Sequence, residues 1–254
     1  MVKVIMHGCN GKMGQVISGL IEEDPNVTMV AGIDVYDDGH NPYPVYKNIV
    51  DCDLDADCII DFSNATAVDA LLAFCEEKKI PCALCTTGLS EEQLKKVEEA
   101  SKKVAILKSA NMSVGINLLL KILKDASKVL ADAGFDIEIV EKHHKLKKDA
   151  PSGTALALAD AINEEFNNEY EYVYDRSERR EQRPKKEIGL SAVRGGTIVG
   201  DHDVIFAGED EVITFSHRAY SKAVFGKGAV EAAKFLAGKG PGLYTMSDVI
   251  DSAI

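Results

Sequence analysis

Val2-Lys-Val-Ile-Met-His-Gly-Cys-Asn-Gly-Lys-Met-Gly14 decides the architecture. Val2–Met6 is a short apolar run that reads as a buried strand, and Lys12–Glu23 has the apolar spacing of an amphipathic helix. The turn between them carries Gly8, Gly11 and Gly14, a GxxGxxG pattern. Glycines there permit a tight turn and close backbone approach to a phosphate, and a helix N-terminus offers free N–H groups and the positive end of its dipole. The strict fingerprint is GxGxxG, so context must carry the reading. A second apolar run, Thr28–Ile33, ends at Asp34, twenty residues past Gly14, where a carboxylate can accept hydrogen bonds from a ribose diol. Strand, glycine turn, helix, strand and acid together indicate a dinucleotide site, against the alternative of a glycine turn with no ligand.

The same alternation continues. Cys58–Asp61, Cys82–Cys85 and Val104–Leu107 read as strands, Ala65–Lys78 as a helix, and Ser90-Glu-Glu-Gln93 as a capping box opening another. Short apolar strands alternating with helices predict a parallel sheet covered on both faces. Thr86-Thr-Gly88 and Ser109-Ala-Asn-Met112 follow two of these strands, at the ends where such sheets place ligands. After a long helix, Val114–Leu130, and a strand, Asp136–Val140, the pattern changes. A helix over Ser152–Phe166 is followed by strand-like runs at Glu187–Val193, Ile198–Phe206 and Glu211–His217. The fold class expected is α/β: a parallel-sheet domain plus a second, α+β domain with a mixed, largely antiparallel sheet. The boundaries expected are 1–112 for the dinucleotide domain, completed by 223–254, and 113–222 for the second domain.

The formal net charge of −12 argues against nucleic acid as a partner, and no apolar run approaches membrane-spanning length. Six cysteines without an export signal read as reduced thiols of a cytoplasmic protein. Cys82-Ala-Leu-Cys85 is formally CxxC, but in a strand positions three apart face opposite sides, which favours a structural role. Asp51–Asp57 opens like a calcium loop yet has Ala56 and Phe62 where that loop needs Gly and Glu, so no metal site is expected. Arg176–Glu187 mixes six basic with three acidic residues and reads as a mobile surface loop, or one that closes over an anion.

Against this acidic background, the segment Glu141-Lys-His-His-Lys-Leu-Lys-Lys-Asp-Ala-Pro-Ser-Gly-Thr154 places two histidines and four lysines in the eight residues from Lys142 to Asp149, then runs through Pro151 into Ser152-Gly-Thr154 at a helix start. Adjacent histidines in an extended stretch diverge, so His143 and His144 are unsuited to sharing a metal. A cationic, proton-competent loop feeding a helix N-terminus suits an anionic substrate that must be protonated. The plainer alternative is a solvated loop with Asp149 or Ser152 as helix cap. His7, His40, His202 and His217 read as structural, although His7 lies near the glycine turn.

With these segments on the page, nearly the whole chain resembles the 4-hydroxy-tetrahydrodipicolinate reductase family, the dihydrodipicolinate reductases of the diaminopimelate route to lysine. The likeness runs through Gly8–Gly14, Ile60-Asp-Phe-Ser63, Thr86–Gly88, Ala110–Asn117, Glu141–His144, Lys147, Asp149–Ala155 and Arg194-Gly-Gly196. It implies a Rossmann-like N-terminal domain completed by C-terminal helices, and a central domain that holds substrate and builds a homotetramer. It implies NADH or NADPH as hydride source and a cyclic, imine-type dicarboxylate as substrate. By position, the resemblance makes His143 the proton donor and acceptor and Lys147 a second proton donor. His144, Ser152, Gly153 and Thr154 become substrate contacts. Gly8, Cys9, Asn10, Gly11, Lys12, Met13, Asp34, Cys85, Thr86, Thr87, Ser109, Ala110, Asn111 and Met112 become cofactor contacts. Val35 follows Asp34 and no arginine is near, which favours NADH over NADPH, although Lys12 or Lys47 could reach a 2′-phosphate.

Three positions depart from the family pattern. Leu146 stands where many members have a third histidine, Cys85 replaces the first glycine of the Gly-Thr-Thr turn, and Lys222 stands where relatives often have arginine. Two other readings remain open: another amino-acid-pathway dehydrogenase, for which a nucleophilic cysteine would have to approach the histidine loop, and a nucleotide-sensing protein that has lost catalysis.

Overall fold

The computed structural model describes residues 1–253. The chain divides into two compact units, Met1–Val114 with Ala223 onward, and Gly115–Lys222. In the first, strands β1 (Val2–His7), β2 (Val27–Ile33), β3 (Val45–Tyr46), β4 (Cys58–Asp61), β5 (Cys82–Leu84) and β6 (Ala105–Leu107) alternate with helices α1 (Lys12–Glu22), α2 (Val68–Lys78) and α3 (Glu91–Ser101). The chain then runs through α4 (Val114–Asp132), β7 (Asp136–His143), α5 (Gly153–Glu164), β8 (Glu171–Tyr174), β9 (Glu187–Arg194), β10 (Gly200–Ala207) and β11 (Val212–Ala219). Finally α6 (Ala223–Leu236), β12 (Gly242–Tyr244) and α7 (Met246–Ala253) return to the first unit.

The first sheet is parallel throughout, in the order β12-β6-β5-β4-β1-β2-β3. Its strand order reverses between β1 and β4, so the carboxyl ends of those strands open a crevice that nothing in the sheet fills. Successive residues of β1 point to opposite faces: Val4 and Met6 join an apolar layer with α1 and α6, while Ile5 joins the layer under α2 and α3. Cys82 and Cys85 divide the same way between the two layers. The Ser90–Gln93 capping box is present in both directions, Ser90 Oγ accepting from Gln93 N and Gln93 Oε1 from Ser90 N.

In the second unit the sheet order is β11-β10-β7-β9-β8. It is mixed, as expected, but not antiparallel in majority. β11, β10 and β7 pair antiparallel, whereas β7–β9 and β9–β8 pair parallel. The reason is the crossover through α5 between β7 and β9, together with β8, which the sequence did not announce. β3, with two residues, β12, with three, and the short α7 are likewise elements beyond those expected. Expected Ala65–Lys78 begins with a 3₁₀ turn at Ala65–Ala67, its Asn64 Oδ1 accepting from Thr66 N.

One boundary shift matters most for the site. The strand expected to end at Val140 continues to His143. Glu141, Lys142 and His143 pair with Ala192, Val193 and Arg194 of β9, and Glu141 also lies opposite His202 of β10. With a period of two, the extension places Glu141 and His143 on one face of the sheet.

Candidate active site

In the first unit, the site begins where glycine is required. Gly8 has φ +85°, and a Cβ there would lie 2.6 Å from Phe62 O. A Cβ at Gly14 would lie 2.2 Å from Gly8 O and 2.5 Å from Cys9 O, so the turn folds onto the helix only if position 14 has no side chain. Gly11 caps α1 with no side-chain hydrogen bond, leaving the first N–H groups of the helix facing outward. Asp34 at the end of β2 is oriented by the turn: its Oδ2 accepts from Asn10 N at 2.9 Å and its Oδ1 from Tyr36 N at 3.1 Å. These groups border a cleft of about 480 Å³ lined by Gly8, Gly11, Asp34, Val35, Lys47 and Phe62 among others. The cradle that a Cβ would fill, the uncapped helix start and the placed carboxylate fit a dinucleotide.

The other expected cofactor residues are arranged less uniformly. Lys12 and Gly11 are exposed and Met13 half-buried at the start of α1. Cys9 is buried with its Sγ against Gly32, and burial beside Asp34 pushes its thiol up to about 12. Thr86 is buried and Thr87 exposed after β5. Cys85 is half-buried, and burial with the nearby Asp61 charge raises its thiol well above the usual range, so it stays protonated. Ser109 Oγ accepts from Met246 N and Asn111 Oδ1 from Ser113 N, while Ala110 is exposed and Met112 packs in the core. His7 and Ser63 also line the cleft. His7 Nδ1 lies 2.8 Å from the buried Asp61, which in turn accepts from Ser63 Oγ at 2.6 Å. Burial alone would raise the Asp61 carboxyl, yet His7 and Ser63 hold it below the ordinary range.

In the second unit, the histidine segment is organised by a residue it was not credited with. Glu141 is 1 % exposed. Its Oε2 lies 2.6 Å from His143 Nδ1, Arg194 donates to both its oxygens at 2.7 Å, and Ser152 N donates to Oε1 at 2.9 Å. Burial would raise this carboxyl; the hydrogen bonds from Arg194, His143 and Ser152 keep it below the usual glutamate range. Arg194 Nη2 also donates to Asp149 O, and Gly195 N to His143 O, tying the loop to the strand.

His143 is buried, and its ring meets that of His202 edge-on with centroids 5.1 Å apart. His202 was read as structural; its Nε2 lies 3.0 Å from Ser152 Oγ, which also caps α5 by accepting from Ala155 N. Burial, then the charge of His143, drives His202 down to about 4, so it is neutral near neutral pH. Lys147 is held by Asp149, with Nζ 2.8 and 3.0 Å from its two oxygens. His144 is half-buried beside them, Gly153 is exposed at the start of α5, and Thr154 follows, half-buried. The structure therefore gathers His143, Ser152, Arg194 and His202 around Glu141, and pairs Lys147 separately.

Leu146 is 77 % exposed, so the missing third histidine lies outside this buried cluster. The Arg176–Glu187 loop is pinned rather than left open: Arg176, Arg179 and Arg183 converge on the buried Glu187, and Arg183 also bonds Asp136 and Glu138. Glu141 could have been found from its spacing of two before His143. Arg194 entered only as part of the Arg194-Gly-Gly196 likeness, with no role attached, and His202 carried no local signal.

Comparison with known proteins matches the family description "Dihydrodipicolinate reductase, N-terminus" over residues 2–112 and "Dihydrodipicolinate reductase, C-terminus" over residues 115–250. A 4-hydroxy-tetrahydrodipicolinate reductase of Caldanaerobacter subterraneus subsp. tengcongensis is 56 % identical over 250 residues, covering 98 % of both chains. That of Clostridium novyi is 49 % identical over 252 residues, covering 99 % of both. Among solved structures, a dipicolinate-bound dihydrodipicolinate reductase from Paenisporosarcina sp. TG-14 is similar, with TM-score 0.79 and 25 % identity, covering 96 % of this chain and 97 % of that one.

Proposed function

The chain belongs to the dihydrodipicolinate reductase family, and from that premise we propose that it reduces 4-hydroxy-tetrahydrodipicolinate to tetrahydrodipicolinate in the diaminopimelate route to lysine. The observation that carries the reading is the buried Glu141–His143 pair at the head of a lysine-rich loop in an acidic protein. A dicarboxylate explains the cationic loop, and a carbon that needs a proton explains the histidine.

The overall change takes up one hydride and one proton and releases one water. Bound NADH or NADPH supplies the hydride. Gly8, Cys9, Asn10, Gly11, Lys12 and Met13 would hold its phosphates at the start of α1, with Asp34 on a ribose and the Cys85–Thr87 and Ser109–Met112 turns completing the contacts. His143 gives and takes the proton, and Lys147 is the second donor once it exchanges Asp149 for a substrate carboxylate. His144, Gly153 and Thr154 grip the carboxylates, the N–H groups at the start of α5 adding to the positive field, while Ser152, expected as a further contact, is buried with its N–H on Glu141 and its hydroxyl on Ala155 N and His202 and shapes the turn instead.

NADH is the preferred reductant in this reading. Asp34 presents a fixed negative charge to the ribose, which opposes a 2′-phosphate. Lys47 lines the same cleft and keeps NADPH usable. The working form is a cytosolic homotetramer, assembled through the face of the second sheet where Val140, Lys142 and Ile205 remain partly exposed; light scattering of the eluted protein tests that directly.

The decisive assay generates the substrate in situ from pyruvate and aspartate semialdehyde and follows the loss of reduced nicotinamide. Turnover is expected with both cofactors and faster with NADH at limiting concentration. Protein that binds NADH yet never consumes it with this substrate would refute the reductase reading.

A further inference from the structure

Glu141 is the most thoroughly satisfied carboxylate on this face of the sheet, and its four hydrogen bonds with three residues leave it no freedom to turn. Arg194 fixes the plane of the carboxylate by bonding both oxygens at 2.7 Å, and Arg194 is itself anchored on the carbonyls of Val193 and Asp149. Ser152 N takes Oε1 at 2.9 Å, which leaves Oε2 for His143 Nδ1 at 2.6 Å. An ionised carboxylate has no proton to donate, so Nδ1 must carry one whether the ring is neutral or charged.

From this we infer that Glu141 is the positioning residue of the proton carrier: clamped by Arg194, it holds the Nδ1–H of His143 and so makes Nε2 the nitrogen that exchanges protons with the substrate. The inference rests on the reductase reading for what Nε2 serves, but not for which nitrogen is protonated.

The surroundings of Nε2 agree with that assignment. A Cβ at Gly200 would lie 3.0 Å from His143 Nε2 and 3.5 Å from Cδ2, so glycine keeps clear the space in front of this nitrogen. The neighbouring His202 turns its own Nε2 to Ser152 Oγ rather than to His143. The arrangement is local in geometry and distant in sequence: Arg194 and Gly200 lie on β9 and at the start of β10, the two strands that flank β7.

The test is Glu141→Gln. Glutamine keeps the shape, but its amide N–H can donate to Nδ1 and turn His143 into the Nε2–H form. In the parent protein, the ¹⁵N signals of the His143 ring in its neutral form are expected to show a protonated Nδ1 and a bare Nε2; in the variant the two characters exchange. In the reductase assay, kcat is expected to fall roughly 10²–10³-fold while KM for NADH is unchanged. In a His143→Gln background the same substitution is expected to add nothing, because its effect passes through the imidazole. Unchanged ¹⁵N signals, or an independent loss multiplied onto that of His143→Gln, would overturn the inference. Should Glu141→Gln fail to fold, Gly200→Ala crowds Nε2 without touching the carboxylate; an unchanged kcat there would overturn it equally. The ¹⁵N measurement needs no substrate, so a protein that never turns over refutes the reductase reading while leaving the Glu141 assignment separately decided.

Discussion

The turn after β1 and the turn after β7 each leave the end of a strand and lead into a helix start, yet they are built in opposite ways. The first is made by leaving side chains out: Gly8 and Gly14 bring backbone against backbone, and α1 begins without a side-chain cap. The second is made by pairing side chains in a dry place, with Arg194, Glu141, His143, Ser152 and His202 joined by hydrogen bonds or ring contact. A site of the first kind is broken by adding atoms. One of the second kind is broken by removing a proton-bearing group or leaving its partner bare.

The largest effect therefore belongs to the proposed proton carrier. His143→Gln is expected to lower kcat by about 10³-fold, within the ~10²–10⁴ range of general acid–base catalysis, with NADH binding intact. Stopped-flow NADH binding alongside steady-state kinetics checks it. Equal losses in both would mean that His143 holds the fold rather than the chemistry.

Gly14→Ala is the matching test of the other turn. The methyl would meet two backbone carbonyls at 2.2 and 2.5 Å, neither of which can swing aside. Overpacking of this kind costs about 3 kcal/mol, and NADH affinity is expected to fall with it. Denaturant unfolding with and without NADH separates the two losses; a variant of parent stability and affinity would show that the turn has slack.

These two residues also mark what could be read from the chain alone. The glycine turn was legible because everything it needs is local: strand, three glycines, helix, then an acid at the end of the next strand. The Ser90–Gln93 cap was legible for the same reason. The reach of β7 to His143 was not, since the extension exists only because β9 and β10, some fifty residues on, supply partners for it. Arg194 looked like part of a Gly-rich turn and His202 like core. Each joins the cluster around Glu141 only because the register sets Arg194 opposite His143 and His202 opposite Glu141.

His202 gives the third test. Its folded pKa of about 4 lies below the 6.5 of an ordinary histidine. Between those values the unfolded chain binds more protons than the native one, so stability rises with pH across that window. The contribution is complete above pH 6.5 and is lost as pH falls toward about 4, a change of roughly 2–3 kcal/mol. Urea midpoints at pH 7.5 and pH 5 are expected to differ by more in the parent than in His202→Gln, where that slope is removed. An identical slope in both would mean that His202 is solvated and titrates normally.

The smallest effects come from two serines with the same local task. Ser90 caps α3 in the first unit and Ser152 caps α5 in the second, each accepting from the N–H three residues on. Replacing either by alanine removes a cap worth about 1 kcal/mol. For Ser90 that is expected to be the whole effect: a lower unfolding midpoint and an unchanged kcat, because its remaining contact is the reciprocal bond with Gln93. Ser152 Oγ also faces His202 Nε2 at 3.0 Å, so Ser152→Ala leaves a buried imidazole nitrogen without its partner next to His143. Its kcat is expected to fall several-fold in addition to the stability loss. If the two variants behave alike in both measurements, the hydroxyl of Ser152 is a helix cap and nothing more, and the polar cluster around Glu141 ends at its backbone N–H.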